Sequence, residues 1–425
     1  MNGCNRDSGA GSSGESSRFG RFRLTYWNRW TWLSVATFFY WVATQALRPF
    51  VPLHLADLGA SGSVIGLAVA ANPFLALFLA IPAGRLIDLR GLRRLMLGSL
   101  LGMAVVGTGF ALVGAVGGIV ALQAGAGLAE LGIWVGMQAM VTQTEVGDFR
   151  TRHLALFAVA WGVGIALGPS VGAWLFELFG FGAIGLVYAA CALAALAAVG
   201  LVPYRDAQRP RPGTGQSTSG TLKSVRVLSR KPGFLAVLIA SFVVLWANSL
   251  RTSFYPIYLA QQGVSVPAIG LVMSVAGVAI LVARMGLPWL ANRLGARPIL
   301  VAATGLAVVA LSITPVVVGS TIALGIASAA FGVGFGLNNP LTLDLVAEHT
   351  ESDERGLAMG MRVVANRAAQ VLQPIAFGTV ATTLTIAAGF GATGVFLILL
   401  TGWMATTLSR RSTTGNQRRE HGRGR

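Results

Sequence analysis

FVPLHLADLGASGSVIGL, residues 50–67, falls on FYPIYLAQQGVSVPAIGL, residues 254–271, when the chain is shifted along itself by 204 residues. The shared positions are Phe50/Phe254, Pro52/Pro256, Leu55/Leu259, Gly59/Gly263, Ser61/Ser265 and the Ile-Gly-Leu triplets that close both stretches. No gap is needed, so chance agreement is a poor account of the match. The chain reads as one structural unit used twice in the same orientation, and everything else is placed relative to that repeat.

The unit belongs in lipid. Of 425 residues, 54% are hydrophobic and 11% charged, and the mean hydropathy is +0.68, well outside the range of ordinary soluble domains. A helix needs about 20 apolar residues to cross the hydrocarbon core. Twelve candidate spans are predicted, at 30–51, 63–84, 95–114, 117–141, 154–178, 182–203, 233–256, 267–290, 298–317, 320–345, 357–383 and 387–408. The 204-residue shift lays spans 1 and 2 over spans 7 and 8, so six helices are duplicated. The expected fold class is an all-α integral membrane protein of two pseudo-symmetric six-helix bundles, and its 55 glycines suit close helix packing.

The net charge of +17 raises nucleic acid as a partner, and the placement of the charge argues against it. Arg18, Arg21, Arg23 and Arg29 precede span 1, Arg85, Arg90, Arg93 and Arg94 follow span 2, and Arg150 and Arg152 follow span 4. The stretch after span 6 and the tail from Arg410 carry the rest, while the opposite loops contain no Lys or Arg. Cytoplasmic loops of membrane proteins carry this excess, so both termini are expected in the cytoplasm, with the chain a multi-pass protein of a bacterial inner membrane. The expected organisation is a disordered N-terminal tail (1–29), a first bundle (30–203), a cytoplasmic linker (204–232), a second bundle (233–408) and a basic tail (409–425). The first residues have no apolar core of their own and do not read as a signal peptide. Cys4 and Cys191 form no disulfide framework. His54, His153, His349 and His421 lack a second ligand at metal spacing, so neither metal nor cofactor is expected.

Between spans 2 and 3, GRLIDLRGLRRLM (84–96) resembles the cytoplasmic loop signature of the major facilitator superfamily, with Gly84, Asp88, Gly91 and Arg93 at its spacing. The repeat returns a second copy, PWLANRLGARP (288–298), with Asn292, Arg293, Gly295 and Arg297. The first copy has Leu89 and Leu92 where the family usually has arginine, and the second has Asn292 for the acid. In span 5, GIALGPSVGA (164–173) is similar to the glycine-proline signature of the drug/proton antiporter branch, through Gly164, Gly168, Pro169 and Gly172. The resemblance implies that these residues serve gating, with the small face of span 5 letting the two bundles approach and Pro169 bending the helix. The arginine that this branch usually carries in span 4 is replaced by Gln123.

In the family, helices 1, 4, 7 and 10 line the substrate cavity, and side chains three or four residues apart share a face. Carried onto this chain, the cavity would take Thr37, Trp41, Thr44 and Arg48 from span 1, and Gln123, Trp134 and Gln138 from span 4. Span 7 would add Asn248 and Arg251, span 10 Phe335 and Asn338, and span 11 Asn366 and Gln370. Each polar residue has an ordinary alternative: an Asn or Gln ties helices together, an aromatic packs, and Arg48 or Arg251 near a helix end snorkels. Arg284 reads as a snorkelling residue too, whereas Arg362 and Arg367 are deep enough to pair or meet an anion.

Glu130 lies in AGLAELGIWVGMQAM (126–140), a stretch otherwise nearly free of polar groups and near the bilayer centre. An ionised carboxylate there needs a partner or a wet cavity. Its repeat mate is Gly334, so packing symmetry does not call for an acid. The expected role is proton coupling, the alternative a permanent ion pair with Arg48, Arg362 or Arg367. There is no phosphate-binding loop and no nucleophile–base pair, so neither ATP hydrolysis nor enzymatic chemistry is expected. The function read from the sequence is proton-coupled efflux of drug-like or secondary-metabolite molecules by a monomer. Its alternatives are uptake of an organic acid or sugar and, more remotely, a ligand sensor that moves nothing.

Overall fold

The computed structural model describes the backbone of residues 12–142, 148–202, 228, 232–351 and 354–422, with side chains for 30–78, 91–140, 155–202, 228, 233–351 and 354–408. The first half folds into α1 (Ser12–Leu47), α2 (Phe50–Asp57), α3 (Gly62–Arg90), α4 (Leu92–Leu112), α5 (Val116–Thr142), α6 (Asp148–Phe179) and α7 (Phe181–Leu201). The second folds into α8 (Pro232–Gln261), α9 (Val266–Leu294), α10 (Ala296–Ser312), α11 (Thr314–Val317), α12 (Thr321–His349), α13 (Arg355–Thr383) and α14 (Ile386–Gly422). No strand occurs among the described residues.

The twelve spans correspond in order to α1, α3–α10 and α12–α14. By length and composition alone, eight helices among the described residues suffice to cross a membrane: α4–α9, α12 and the Ile386–Leu408 part of α14. Two shorter apolar stretches, Gly62–Phe78 in α3 and Ala296–Ser312, fall below that length. Helix α13 lacks the composition because Arg362, Asn366, Arg367, Gln370 and Gln373 lie along it; Arg362 is held by protein contacts, and Arg367 and Gln370 line a pocket.

Two boundaries differ from expectation. Helix α1 begins at Ser12, inside the stretch expected to be a disordered tail; the chain has no proline before Pro49, and nothing breaks the helix earlier. Span 1 then ends at Leu47, because Pro49 has no N–H to continue the ladder, and the chain restarts as α2. The linker expected at 204–232 lies outside the described residues apart from Leu228 and Pro232.

The duplication is written into the backbone. Gly59 and Gly263, one shift apart, both take positive φ (77° and 80°) where α2 and α8 turn into the next helix. Gly91 and Gly295 do the same at 85° and 80° in the two copies of the loop signature. L side chains rarely adopt that conformation, so glycine recurs at these two corners.

Helices α1, α3, α4, α5, α6 and α7 pack on one another, as do α8, α9, α10, α12, α13 and α14. The two bundles meet through α6 on α9, α3 on α13, and α2 on α8. Glycine makes these crossings close. A Cβ on Gly62 would stand 2.9 Å from the Gly378 carbonyl oxygen, and one on Gly66 would run into the Pro374 carbonyl. On the other side a Cβ on Gly277 would stand 2.6 Å from Ala166 Cα, and Ser170 Oγ donates to Ser274 Oγ at 2.7 Å. The α3–α13 contacts lie at the start of α3 and in the last part of α13, beside the loops that carry no basic residue, so the bundles are closed at that end. His54, on α2 at the same end, stacks on Phe181 with centroids 4.2 Å apart, and its burial holds its pKa below the ordinary histidine value.

Candidate functional site

Glu130 stands near the middle of α5, 6% exposed, and is the only buried carboxylate among the described residues. One carboxylate oxygen accepts from Arg48 Nη2 at 2.5 Å, and the other accepts from the Tyr188 hydroxyl at 3.2 Å. Three helices of the first bundle therefore converge on it. Arg48 owes its position to the break before Pro49: the backbone turns there, and the side chain can leave the α1 axis and reach α5. Of the three arginines that were candidates for this pairing, the structure selects Arg48. Its side chain is 35% exposed while that of Glu130 is 7% exposed, so the acid lies behind the guanidinium and the guanidinium faces open space.

That space is a pocket of about 70 Å³ between the bundles. The first bundle lines it with Arg48, Val69, Asn72, Pro73 and Gln123, and the second with Asn248, Ser249, Thr252, Arg367 and Gln370. Four of the residues predicted from the sequence thus come together: Arg48, Gln123, Asn248 and Gln370. Asn72, Val69 and Pro73 were missed because they sit on α3, a helix that the family resemblance does not place at the cavity. Ser249 and Thr252 were missed because hydroxyl residues in membrane helices usually bond their own backbone, as Thr252 does to the Asn248 carbonyl at 3.1 Å. Arg367 donates to Gln370 at 3.0 Å and takes part in no ion pair among the described residues.

Other predicted cavity residues sit elsewhere. Thr37 and Thr44 are fully buried and donate to the Leu33 and Trp41 carbonyls of their own helix. Arg251 neither snorkels nor lines the pocket. It is 5% exposed inside the second bundle, with its guanidinium carbon 5.1 Å from the Tyr255 ring centroid and 5.0 Å from that of Phe331. Phe335 stacks on Phe331 at 6.0 Å. Asn338 ties three helices, donating to Thr304 Oγ1 at 2.9 Å and to the Ala240 carbonyl at 3.3 Å, the interhelical role weighed as its alternative. Arg362 is likewise held by neutral partners, Ser241, Asn339 and Thr342. Asn366 stays half-buried, its Oδ1 without a hydrogen-bond partner.

Trp41 and Trp134 make an aromatic cluster with Trp161 of α6, the ring centroids 5.7 and 5.6 Å from Trp41. Gln138, one turn beyond Trp134, is exposed. Arg284, expected to snorkel, instead lies over Trp161 at 3.9 Å and joins α9 of one bundle to α6 of the other. A desolvated stack of this kind is worth about 2 kcal/mol, enough to hold a long side chain away from the headgroups.

The small face of α6 requires a correction. Gly164, Gly168 and Gly172 do not face the second bundle. They face α1: a Cβ on Gly164 would stand 2.7 Å from Trp41 Cβ, one on Gly168 2.5 Å from Gln45 Cβ, and one on Gly172 would run into the Ala46 carbonyl. A helical repeat of small residues shows that a neighbour comes close without saying which neighbour. The residues of α6 that meet α9 are its next stripe, Ile165, Ala166, Pro169, Ser170 and Ala173, against Gly270 and Gly277. Gly168→Leu is therefore expected to push α6 off α1 and destabilise the first bundle by about 1–3 kcal/mol. The check is thermal unfolding of the purified variant in detergent; a wild-type melting temperature would mean that α1 and α6 yield at no cost.

In the loop signature, Gly84 and Asp88 lie on the last turns of α3, where side chains are outside the described residues. Arg93, after the Gly91 corner, donates to the Gly200 carbonyl at the end of α7 at 2.5 Å. In the second copy Arg297, its equivalent by the repeat, pairs with Glu348 at the end of α12 at 2.6 Å. Both arginines thus tie the start of one helix to the end of another within a bundle. Asn292 is exposed, and Arg293 lies over Trp289 of its own helix.

A membrane-embedded pair of six-helix bundles with a polar pocket at their interface defines a transporter. The chain belongs to the Major Facilitator Superfamily, whose sequence profile matches residues 33–374. It is thus a multi-pass membrane transporter of small molecules and not an enzyme. It is 24% identical over 395 residues to the "Multi-drug resistance efflux pump PmrA homolog" of Lactococcus lactis subsp. lactis (strain IL1403), covering 90% of this chain and 96% of that protein. Among solved structures, a POT family transporter in complex with a thioalcohol-conjugated peptide superposes with a TM-score of 0.76 at 12% identity, covering 90% of this chain and 96% of the other. The nucleoside transporter NupG superposes at 0.72 with 14% identity, covering 90% and 99%. A bacterial homologue of the human lysosomal transporter Spinster, in an inward-facing state, superposes at 0.71 with 12% identity, covering 90% and 96%. At these identities the structures speak for the fold alone.

Proposed function

We propose that this chain exports small amphipathic organic compounds in exchange for protons, working as a monomer in the bacterial inner membrane with both termini in the cytoplasm. The observation that carries the reading is the buried Glu130 paired with a pocket-facing Arg48. With Glu130 ionised, the pair is neutral overall and Arg48 is held back against α5. Protonation removes the partner, and the guanidinium must then find water or acceptors in the same small pocket. Proton and neutral substrate thereby exclude one another, which is the condition for exchange. The end closed by α3 on α13 is the outer one under the positive-inside orientation. The multidrug efflux homologue from Lactococcus lactis supports export of drug-like compounds.

A second reading, uptake of an organic acid, is favoured by one observation: Arg367 adds a second cation to the pocket and forms no ion pair among the described residues. Accumulation of a panel of neutral, cationic and anionic dyes in cells with and without the gene separates the two. Export lowers the retention of neutral dyes by several-fold and a protonophore restores it; unchanged retention across the panel would remove the export reading.

A further inference from the structure

The pocket is too small for a whole drug-sized ligand, whose sites usually run to about 300–1,000 Å³. At about 70 Å³ it fits a head group. Its lining is unusual for an apolar cargo. Arg48 reaches in from the first bundle and Arg367 from the second, close enough for their like charges to repel, and the amides of Asn72, Gln123, Asn248 and Gln370 stand around them. Glu130, the only buried carboxylate among the described residues, is behind Arg48 and does not line the pocket. With Glu130 ionised the site carries one uncompensated cation; with Glu130 protonated it carries two.

We infer that the pocket binds a compact organic oxyanion, a carboxylate or sulfonate, bridged between Arg48 and Arg367, and that this class of substrate moves in the same direction as the proton. Arginine guanidinium offers a planar fork matched to such groups. An anion placed between the two cations also removes the repulsion that opposes bundle closure, so it favours the closed outer half. The coupling sign follows from linkage: protonation of Glu130 releases Arg48 to the anion, so each ligand raises the affinity of the other by the same factor. A neutral amphiphile and the proton compete in this pocket, whereas an anion and the proton bind together. The charge of the cargo sets whether the same carboxylate drives exchange or cotransport. The inference rests on Glu130 as the proton carrier and does not depend on export of neutral compounds.

Benzenesulfonate is the probe, because it stays anionic across the pH range and only the protein titrates; benzenesulfonamide is its neutral counterpart. Binding to the full-length protein in lipid nanodiscs is followed by tryptophan fluorescence. Benzenesulfonate affinity is expected to rise on acidification, by at most about tenfold per pH unit for one coupled proton, and to become high and pH-independent in Glu130→Gln. Arg367→Gln is expected to weaken it at least tenfold and to weaken benzenesulfonamide much less, and Arg367→Lys to recover part of the loss. Among the described residues Arg367 hydrogen-bonds Gln370 and forms no ion pair, so its removal strands no paired acid. In proteoliposomes an acid-outside gradient is expected to accumulate benzenesulfonate. Equal affinity for the sulfonate and the sulfonamide, or no effect of Arg367→Gln, overturns the anion site. Sulfonate binding that weakens on acidification overturns the shared direction. Energised efflux of neutral dyes that persists alongside either result leaves the export reading standing.

Discussion

Glu130→Gln is expected to abolish pH-driven transport and to hold substrate binding at its acid-limit strength at every pH. Glutamine keeps the shape of the side chain, and its carbonyl oxygen still accepts from the Tyr188 hydroxyl, one of the two donors that reach the native carboxylate. It cannot gain or lose a proton. Arg48 is then released at every pH, the condition that protonation produces in the native chain. Each pH unit across the membrane is worth about 1.4 kcal/mol per proton, a tenfold concentration ratio. In proteoliposomes with an imposed gradient of one unit, the native protein is expected to build a ratio of up to about ten per coupled proton and the variant to stop at one. Downhill exchange should survive in the variant. Uphill transport at the native rate would show that the pair only ties α1 to α5. Removing the other partner differs in kind: Arg48→Gln leaves the acid buried without its cation, which costs about 3–5 kcal/mol when the charge persists, and the group escapes that cost by taking up a proton.

What the sequence disclosed and what it hid divide along a physical line. Periodicity and repetition survive folding, because they are properties of the chain: the shift of 204 residues reappears as the paired left-handed glycines at Gly59/Gly263 and Gly91/Gly295. Burial of Glu130 was legible from its lipid-like surroundings and its depth in the span. Its partners were not, since three arginines had suitable depths and only the break at Pro49 brings Arg48 to α5. Tyr188 was invisible for another reason: in a stretch of alanines, leucines and Cys191 it reads as one more large apolar residue, and its hydroxyl acquires meaning only where α7, packed on α1 and α4, brings it to Glu130. Faces were legible and neighbours were not. The small stripe of α6 was real, but it is α1 that comes close to Gly164, Gly168 and Gly172. Polar stripes failed in the same manner, because Thr37 and Thr44 satisfy themselves on their own helix and Arg251 finds aromatic faces within its bundle.

The correction to α6 moves the gating question to the other crossing, α3 on α13, where the second large effect is expected. Gly66→Leu should reduce transport by more than tenfold with the protein still folded. A Cβ at position 66 would already strike the Pro374 carbonyl, and its next neighbours are the Pro374 carbonyl carbon at 2.9 Å and Ile375 Cα at 3.4 Å. These are backbone atoms on the far bundle, so no rotamer change relieves the contact. The three atoms nearest that Cβ all belong to α13, so the strain falls on the state in which α3 and α13 touch. Overpacking of this sort costs about 1–3 kcal/mol, which shifts the equilibrium roughly 5- to 150-fold towards the state with the outer half parted. The neighbouring Ser63–Thr382 hydrogen bonds, at 2.9 and 3.1 Å, are lost with it. A cysteine at Val69, on the pocket wall, reports the change once Cys4 and Cys191 are replaced by serine. With Gly66→Leu its labelling by a membrane-impermeant thiol reagent added outside should rise by at least as large a factor as transport falls. Lost transport without a gain in outside labelling would place the damage in folding; native transport would mean that the outer half never needs to close this tightly.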